Sequence, residues 1–247
     1  MSNVASDQIS RVALVGFIAA VFAVLMVGGA GPAYRLMHVG LGTAFTLLRW
    51  GAWLGLGAAA VALIGALVAR HRAGGRGWVL ALAGVILGCA AFGVPFAIYQ
   101  SASKVPPIHD ITTDTKSPPR FVAVVPLRAG ARNPTEYEGE AVAVQQHAAY
   151  PDIQPVSLAV PPDVAFQRAL TVARDLGWEI VAAIPSEGRI EATDTTSWFG
   201  FKDDVVIRIT PEATGSRLDV RSLSRIGGSD LGKNAARVRA YLQRLRQ

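Results

Sequence analysis

Asp194-Thr-Thr-Ser-Trp-Phe-Gly-Phe-Lys-Asp-Asp-Val-Val-Ile-Arg-Ile-Thr210 decides the fold of the second half of this chain. From Asp204 to Thr210 apolar residues recur at every second position, with Val205, Ile207 and Ile209 on one face. That period of two is the signature of a half-buried β-strand. Ahead of the strand stand an aromatic cluster, Trp198, Phe199 and Phe201 around Gly200, and two adjacent acids, Asp203 and Asp204.

Working outward, the neighbouring segments read the same way. Trp178–Ile184 alternates, Pro185-Ser-Glu-Gly188 is a turn, and Arg189–Ser197 returns as a hairpin partner. Beyond the quoted stretch, Pro211–Gly215 is a second turn, and Ser216–Arg225 is a further strand with Leu218 and Val220 inward. Hairpins in succession predict an antiparallel sheet with one face buried and the other solvated. A short strand at 156–160 precedes a helix opened by Pro161-Pro162-Asp163, where proline is tolerated at the first turn. Phe166, Leu170, Ala173 and Leu176 form its apolar stripe, and Gly177 stands where a helix terminator belongs. After Gly227-Gly228, Ser229 is read as an N-cap with Asp230 in the first turn, and Leu231, Ala235, Val238, Leu242 and Leu245 line one helical face. Residues 156–247 therefore read as an α+β domain of order β-α-β-β-β-β-α, a two-layer, helix-grip-like antiparallel sheet with two helices.

The first hundred residues are of a different kind. The chain is 51% hydrophobic over 247 residues, and the apolar residues concentrate before residue 100. A bilayer core about 30 Å thick needs roughly 20 apolar residues. Segments 12–30, 50–69 and 78–99 meet this, so the reading is a three-helix transmembrane region over 1–99. The net charge of +6 is mostly membrane-flanking: residues 1–99 carry six arginines and one acid. The remainder holds eighteen basic and seventeen acidic side chains, which argues against a nucleic-acid partner. Arg70-His-Arg-Ala-Gly-Gly-Arg76 is the densest positive cluster beside a span, and the positive-inside rule sets it in the cytoplasm. The N-terminus is then cytoplasmic and the C-terminal domain extracytoplasmic, in a multi-pass inner-membrane protein.

Residues 100–155 are rich in proline and read as an extended connector that wraps the domain, docking Ile108, Phe121, Tyr137 and Tyr150. Ile108–Asp114, Tyr150–Pro155, Gly188-Arg-Ile-Glu-Ala192, Trp198–Asp204 and Asp219-Val-Arg-Ser222 with Ser224-Arg225 stand in one order along the chain. Together they resemble the DUF1499 family of membrane-associated proteins of unknown function. The resemblance covers about residues 105–247 and implies no catalytic residues.

The residues themselves offer candidate sites. Arg208, Arg217, Arg221 and Arg225 with Asp219 alternate along two adjacent strands, opposite Leu218 and Val220. On an open sheet face they would form an anion or carboxylate clamp, since arginine binds such groups bidentately. Trp198 and Phe201 could present an aromatic patch to a partner or a membrane surface. Asp203 and Asp204 are sequential and point to opposite faces of a strand, so only Asp194 could pair with one of them. Such a pair is what a carboxylate-dependent hydrolase acting on an envelope substrate would need. One cysteine, Cys89, lies in an apolar run, and His109 with Asp110 and Asp114 lacks further ligands, so no metal or cofactor is assigned. The preferred expectation is a non-catalytic binding or interaction module for an envelope protein, lipid or glycan, with the hydrolase as the alternative.

Overall fold

The computed structural model describes residues 11–70 and 75–247, and the chain divides after Ser101 into two compact units. The first holds α1 (Arg11–Met37), α2 (Leu41–Arg70) and α3 (Gly75–Ala102). Within them Arg11–Met37, Leu41–Val68 and Gly77–Ala102 are long and apolar enough to cross a membrane. At 1.5 Å per residue, helices of this length reach about 40 Å, more than a bilayer core needs. The second helix begins well before Trp50, so Arg49 lies inside it, its guanidinium 5.9 Å from the Trp50 ring. Apolar length locates a span but does not mark where helical hydrogen bonding starts. The arginine-rich loop used to orient the chain lies largely outside the described residues.

Small residues bring these helices together. α1 buries Ala13, Gly16, Ala20, Ala23, Val27, Ala30 and Gly31, a stripe spaced by three and four. A Cβ at Gly65 would meet the Ala13 Cα at 2.6 Å, and one at Gly88 would meet the Gly55 carbonyl oxygen at 2.5 Å. Backbones approach this closely only where side chains are absent or a single methyl, which is how membrane helices pack without a hydrophobic drive between them.

The second unit is α+β. Its strands are β1 (Asp110–Thr112), β2 (Val156–Leu158), β3 (Glu179–Ile184), β4 (Arg189–Thr195), β5 (Lys202–Glu212) and β6 (Gly215–Ser224). Its helices are α4 (Glu140–Ala149), α5 (Pro162–Asp175) and α6 (Lys233–Leu245). The sheet is antiparallel throughout and runs β1-β6-β5-β4-β3, with β2 also paired to β6. β2 takes Ser216–Leu218 of β6 and β1 takes Arg221–Leu223, so two short strands share one edge end to end.

α5 and α6 cover one face. Phe166, Leu170 and Ala173 of α5, with Val238, Tyr241 and Leu242 of α6, pack on Ile190, Val205, Ile207, Ile209, Leu218 and Val220. The Tyr241 ring stacks on Trp178 at 5.2 Å and its hydroxyl donates to the Ala169 carbonyl at 3.0 Å, locking the two helices together. Gly177 closes α5 with φ +79°, a conformation glycine adopts without steric cost.

Three expectations are corrected. Residues 100–155 are not merely an extended wrap: they supply β1 and the ten-residue helix α4, along with the docked Ile108, Phe121 and Tyr150. The last helix starts at Lys233, because Leu231 at φ +57° and Gly232 at φ +79° turn the chain first. Asp230, not Ser229, supplies the capping oxygens, accepting from the Gly232 and Asn234 N–H groups at 2.8 and 2.7 Å. Finally, the sheet face opposite α5 and α6 is not solvated, and what covers it shapes the site.

Candidate functional site

Strand parity puts Arg189, Glu191, Thr193, Asp204, Val206, Arg208, Arg217, Asp219, Arg221, Leu223 and Arg225 on the face away from α5 and α6. Residues 113–135 lie across this face. Phe121 and Val124 from that segment pack on Val206 and Leu223. Around this small apolar seal, ion pairs hold the segment down. Arg221 is bidentate to Asp110, with Nη2 at 2.7 Å, and both side chains are buried. The Arg221 guanidinium also lies 5.0 Å from the Phe121 ring and 5.6 Å from Tyr137. Burial pushes the Tyr137 hydroxyl up to about 12.

Asp204 accepts from Arg128, Arg225 and the Thr193 hydroxyl. Glu191, fully buried on β4, receives the backbone N–H groups of Val122, Ala123 and Val124 at 2.9–3.1 Å and pairs with Arg189. It is a carboxylate filling the anion-binding concavity of a turn. Asp219 and Asp114 bridge Arg208 and Arg217 at 2.8–3.1 Å. Burial alone would raise the Asp114 carboxyl, but N–H groups of Ser117 and Lys116 and the guanidiniums of Arg217 and Arg208 outweigh it and hold it below its usual value.

The predicted open ladder is thus a closed clasp. Arg221 holds Asp110, Asp204 holds Arg128, Arg225 donates to the Leu127 carbonyl, and Arg208 and Arg217 share Asp114, with Arg208 and Arg217 the most exposed of the four arginines. Alternating charges on a strand look identical whether water or a complementary segment lies across them. Here the complement, Asp110, Asp114 and Arg128, sits about a hundred residues earlier in sequence.

The acids of the quoted stretch separate as strand geometry requires. Asp194 and Asp203 are direct cross-strand partners on the helix face. Arg237 of α6 stands between them, with its Nη2 2.7 Å from an oxygen of each. Its Nη1 donates to Ser222 Oγ at 3.1 Å and to Asn234 Oδ1 at 2.6 Å. Nearby, burial raises the Asp230 carboxyl above its usual value against the pull of the N–H groups it caps. The two carboxylates a hydrolase would need therefore meet, but around a guanidinium that pairs with both. Asp204 is on the opposite face.

Trp198, Phe199 and Phe201 pack on one another at 5.0 Å spacings, with Phe199 buried. Gly200, at φ +70°, lets that turn close. His109, Asp110 and Asp114 are dispersed: His109 faces Glu138 at 3.5 Å, Asp110 binds Arg221, and Asp114 binds Arg208 and Arg217. Among the described residues no cluster of three His, Cys, Asp or Glu is placed to hold a metal ion.

Two of the recesses on the unit bear on the site. One, about 470 Å³, lies between the start of α5 and two strand turns, with Pro162, Phe166, Pro185 and Pro211 in its walls. The other, about 270 Å³, lies on the clasped face, where Arg120, Arg189 and Arg208 converge with Pro118, Pro119 and Val206. Sequence reasoning missed Arg120, Arg128, Arg189 and Glu191. Arg189 and Glu191 carried a signal, since both stand in the Gly188–Ala192 motif.

A search of curated proteins finds no match. A family profile described as a protein of unknown function (DUF1499) matches residues 110–245, more than half of the chain. The matched span begins at the Asp110 that Arg221 holds and ends at the last residue of α6, so it takes in the clasp as well as the sheet and helices. The chain belongs to the DUF1499 family.

Proposed function

We propose that this protein is a membrane-anchored, non-catalytic binding module whose extracytoplasmic unit takes an acidic group of an envelope ligand in the recess between residues 117–122 and strands β4 and β5. The observation that carries the reading is the convergence of Arg120, Arg189 and Arg208 on that one recess. Arg120 has no ion-pair partner among the described residues and lies exposed at the rim. Arg189 is paired with buried Glu191 and also with Glu187, and the half-exposed Glu187 is the carboxylate that a ligand anion can replace. Pro118, Pro119 and Val206 supply apolar wall, so a ligand with a charged end and an apolar body suits the recess better than a bare ion. The orientation rests on the arginines at 70, 72 and 76, which favour a cytoplasmic loop and hence a C-terminal unit across the inner membrane.

Titrating the full chain in detergent micelles with inorganic phosphate and with succinate, read by NMR at the arginine side chains, tests the recess. Saturable shifts at Arg120 and Arg189 that disappear in Arg120→Ala support the reading, and binding indifferent to that substitution overturns it. A reporter fused after Gln247 that is active only in the cytoplasm would overturn the orientation.

A further inference from the structure

The clasp segment has a second side. Over Phe121-Val-Ala-Val-Val-Pro-Leu-Arg128, the residues Phe121, Val124 and Arg128 point inward and are buried. Val122, Val125 and Leu127 alternate with them and stand outward, about half exposed, Val122 in the wall of the recess described above and Val125 and Leu127 outside it. Packing does not account for the outward set, since the apolar seal against Val206 and Leu223 is made by Phe121 and Val124. A single exposed valine needs no explanation, but apolar residues on a rigid proline turn form a patch. Val125 and Leu127 flank Pro126 in the 3-10 turn Val125–Arg128.

Two cations, Lys202 and Arg132, stand beside Val125 and Leu127, linked to that turn through Arg225. Arg225 ties three segments together there: its N–H donates to the Lys202 carbonyl at 3.0 Å, its Nη1 donates to the Leu127 carbonyl at 2.8 Å, and its own carbonyl accepts from the Arg132 N–H at 2.9 Å. Lys202 and Arg132 are exposed and have no ion-pair partner among the described residues. An apolar wedge beside unneutralised cations is the composition of a surface that inserts at the headgroup boundary of an anionic bilayer. The occupant is close at hand. α3, apolar enough to cross a membrane, ends at Ala102, and β1 begins at Asp110. Seven intervening residues span at most about 25 Å, so lipid is always within reach of this unit.

We propose that Val125 and Leu127, with Lys202 and Arg132 beside them, are a bilayer-contacting surface that binds anionic lipid. The contact restrains the unit against the membrane and is separate from the recess at Arg120, Arg189 and Arg208.

The test uses the full chain with Cys89→Ser, reconstituted in nanodiscs and spin-labelled at Val125→Cys, with Val164→Cys on α5 as an equally exposed reference. In nanodiscs containing phosphatidylglycerol, the ratio of oxygen to nickel-chelate accessibility at position 125 is expected to exceed that at 164 severalfold. It should fall toward the reference in phosphatidylcholine alone or in the Lys202→Glu/Arg132→Glu variant. As a label-independent measurement, a photoreactive phosphatidylglycerol should cross-link the unsubstituted chain within residues 122–132. Equal ratios at both positions, cross-links confined to residues 11–102, or dipolar broadening that shows a second copy on the patch would each overturn the proposal. Contact of equal strength in phosphatidylcholine would overturn its electrostatic half.

Discussion

Glu191 offers the sharpest test of the clasp. Its side chain is fully buried and accepts from three successive backbone N–H groups while pairing with Arg189. Replacing it with alanine leaves those N–H groups facing a void and leaves Arg189 with Glu187 as its remaining carboxylate. A hydrogen bond to a charged group contributes about 1.5–3 kcal/mol net, and the three share one carboxylate, so they do not add fully. Removing one partner of a buried ion pair costs about 3–5 kcal/mol, and about 4 kcal/mol is the expected total here. At about 1.4 kcal/mol per tenfold, that is roughly a thousandfold in the equilibrium between closed and open clasp.

The loss is expected to be local first, because the sheet keeps its α5–α6 core while residues 113–135 lose their anchor. Hydrogen exchange on the full chain in nanodiscs reads this directly. Amides of Val122, Ala123 and Val124 should exchange roughly a thousandfold faster in Glu191→Ala, with those of β5 and β6 changed much less. Glu191→Gln, which keeps one acceptor oxygen, should fall between. Glu187→Ala, at an exposed position, should change stability by less than about 0.5 kcal/mol. Exchange at residues 122–124 within tenfold of the parent protein in Glu191→Ala would refute the reasoning and return the clasp to the status of a passive cover.

Two further outcomes follow from the same structure. Gly188→Ala should destabilise the β3–β4 hairpin by well over the roughly 1–2 kcal/mol of a left-handed alanine, since φ is +59° and a Cβ would sit 2.2 Å from the Ile209 carbonyl oxygen; thermal unfolding checks it, and an unchanged midpoint counts against it. Asp230 sets a pH dependence. Its folded carboxyl lies above the ordinary value near 3.8, so the folded state takes up a proton before the unfolded chain does. That contribution is full below the unfolded value and is lost as pH rises through the folded one. The stability of Asp230→Asn relative to the parent, measured by urea unfolding, should therefore be highest near neutrality and shrink toward pH 4, and growth on acidification would contradict the assignment.

Much of this architecture is legible in the residues because it rests on local periodicity. Alternation over 178–225 fixes the hairpins, and the register of Asp194 against Asp203 follows once the turn is placed. The three apolar helices follow from composition alone. α4 was not legible: Glu140–Ala149 has a weak apolar face, and its place is set by Val142 and by Gln146, which exchanges bonds with the backbone of Thr112 at 2.9 and 2.7 Å.

The sequence by itself determined which residues form strands and helices, and that adjacent acids on a strand must part to opposite faces. Both are properties of neighbouring residues and their fixed geometry. The tertiary structure alone decided what the charges of Arg208, Arg217, Arg221 and Arg225 are for. Arg208, Arg217 and Arg221 each find a carboxylate about a hundred residues away, in Asp114 or Asp110, and only chain closure brings such a carboxylate or a solvent molecule to a guanidinium. The Asp194–Thr210 stretch organises the domain as its residues suggest. What holds Asp194 and Asp203 together is Arg237, a side chain from the last helix that lies between them.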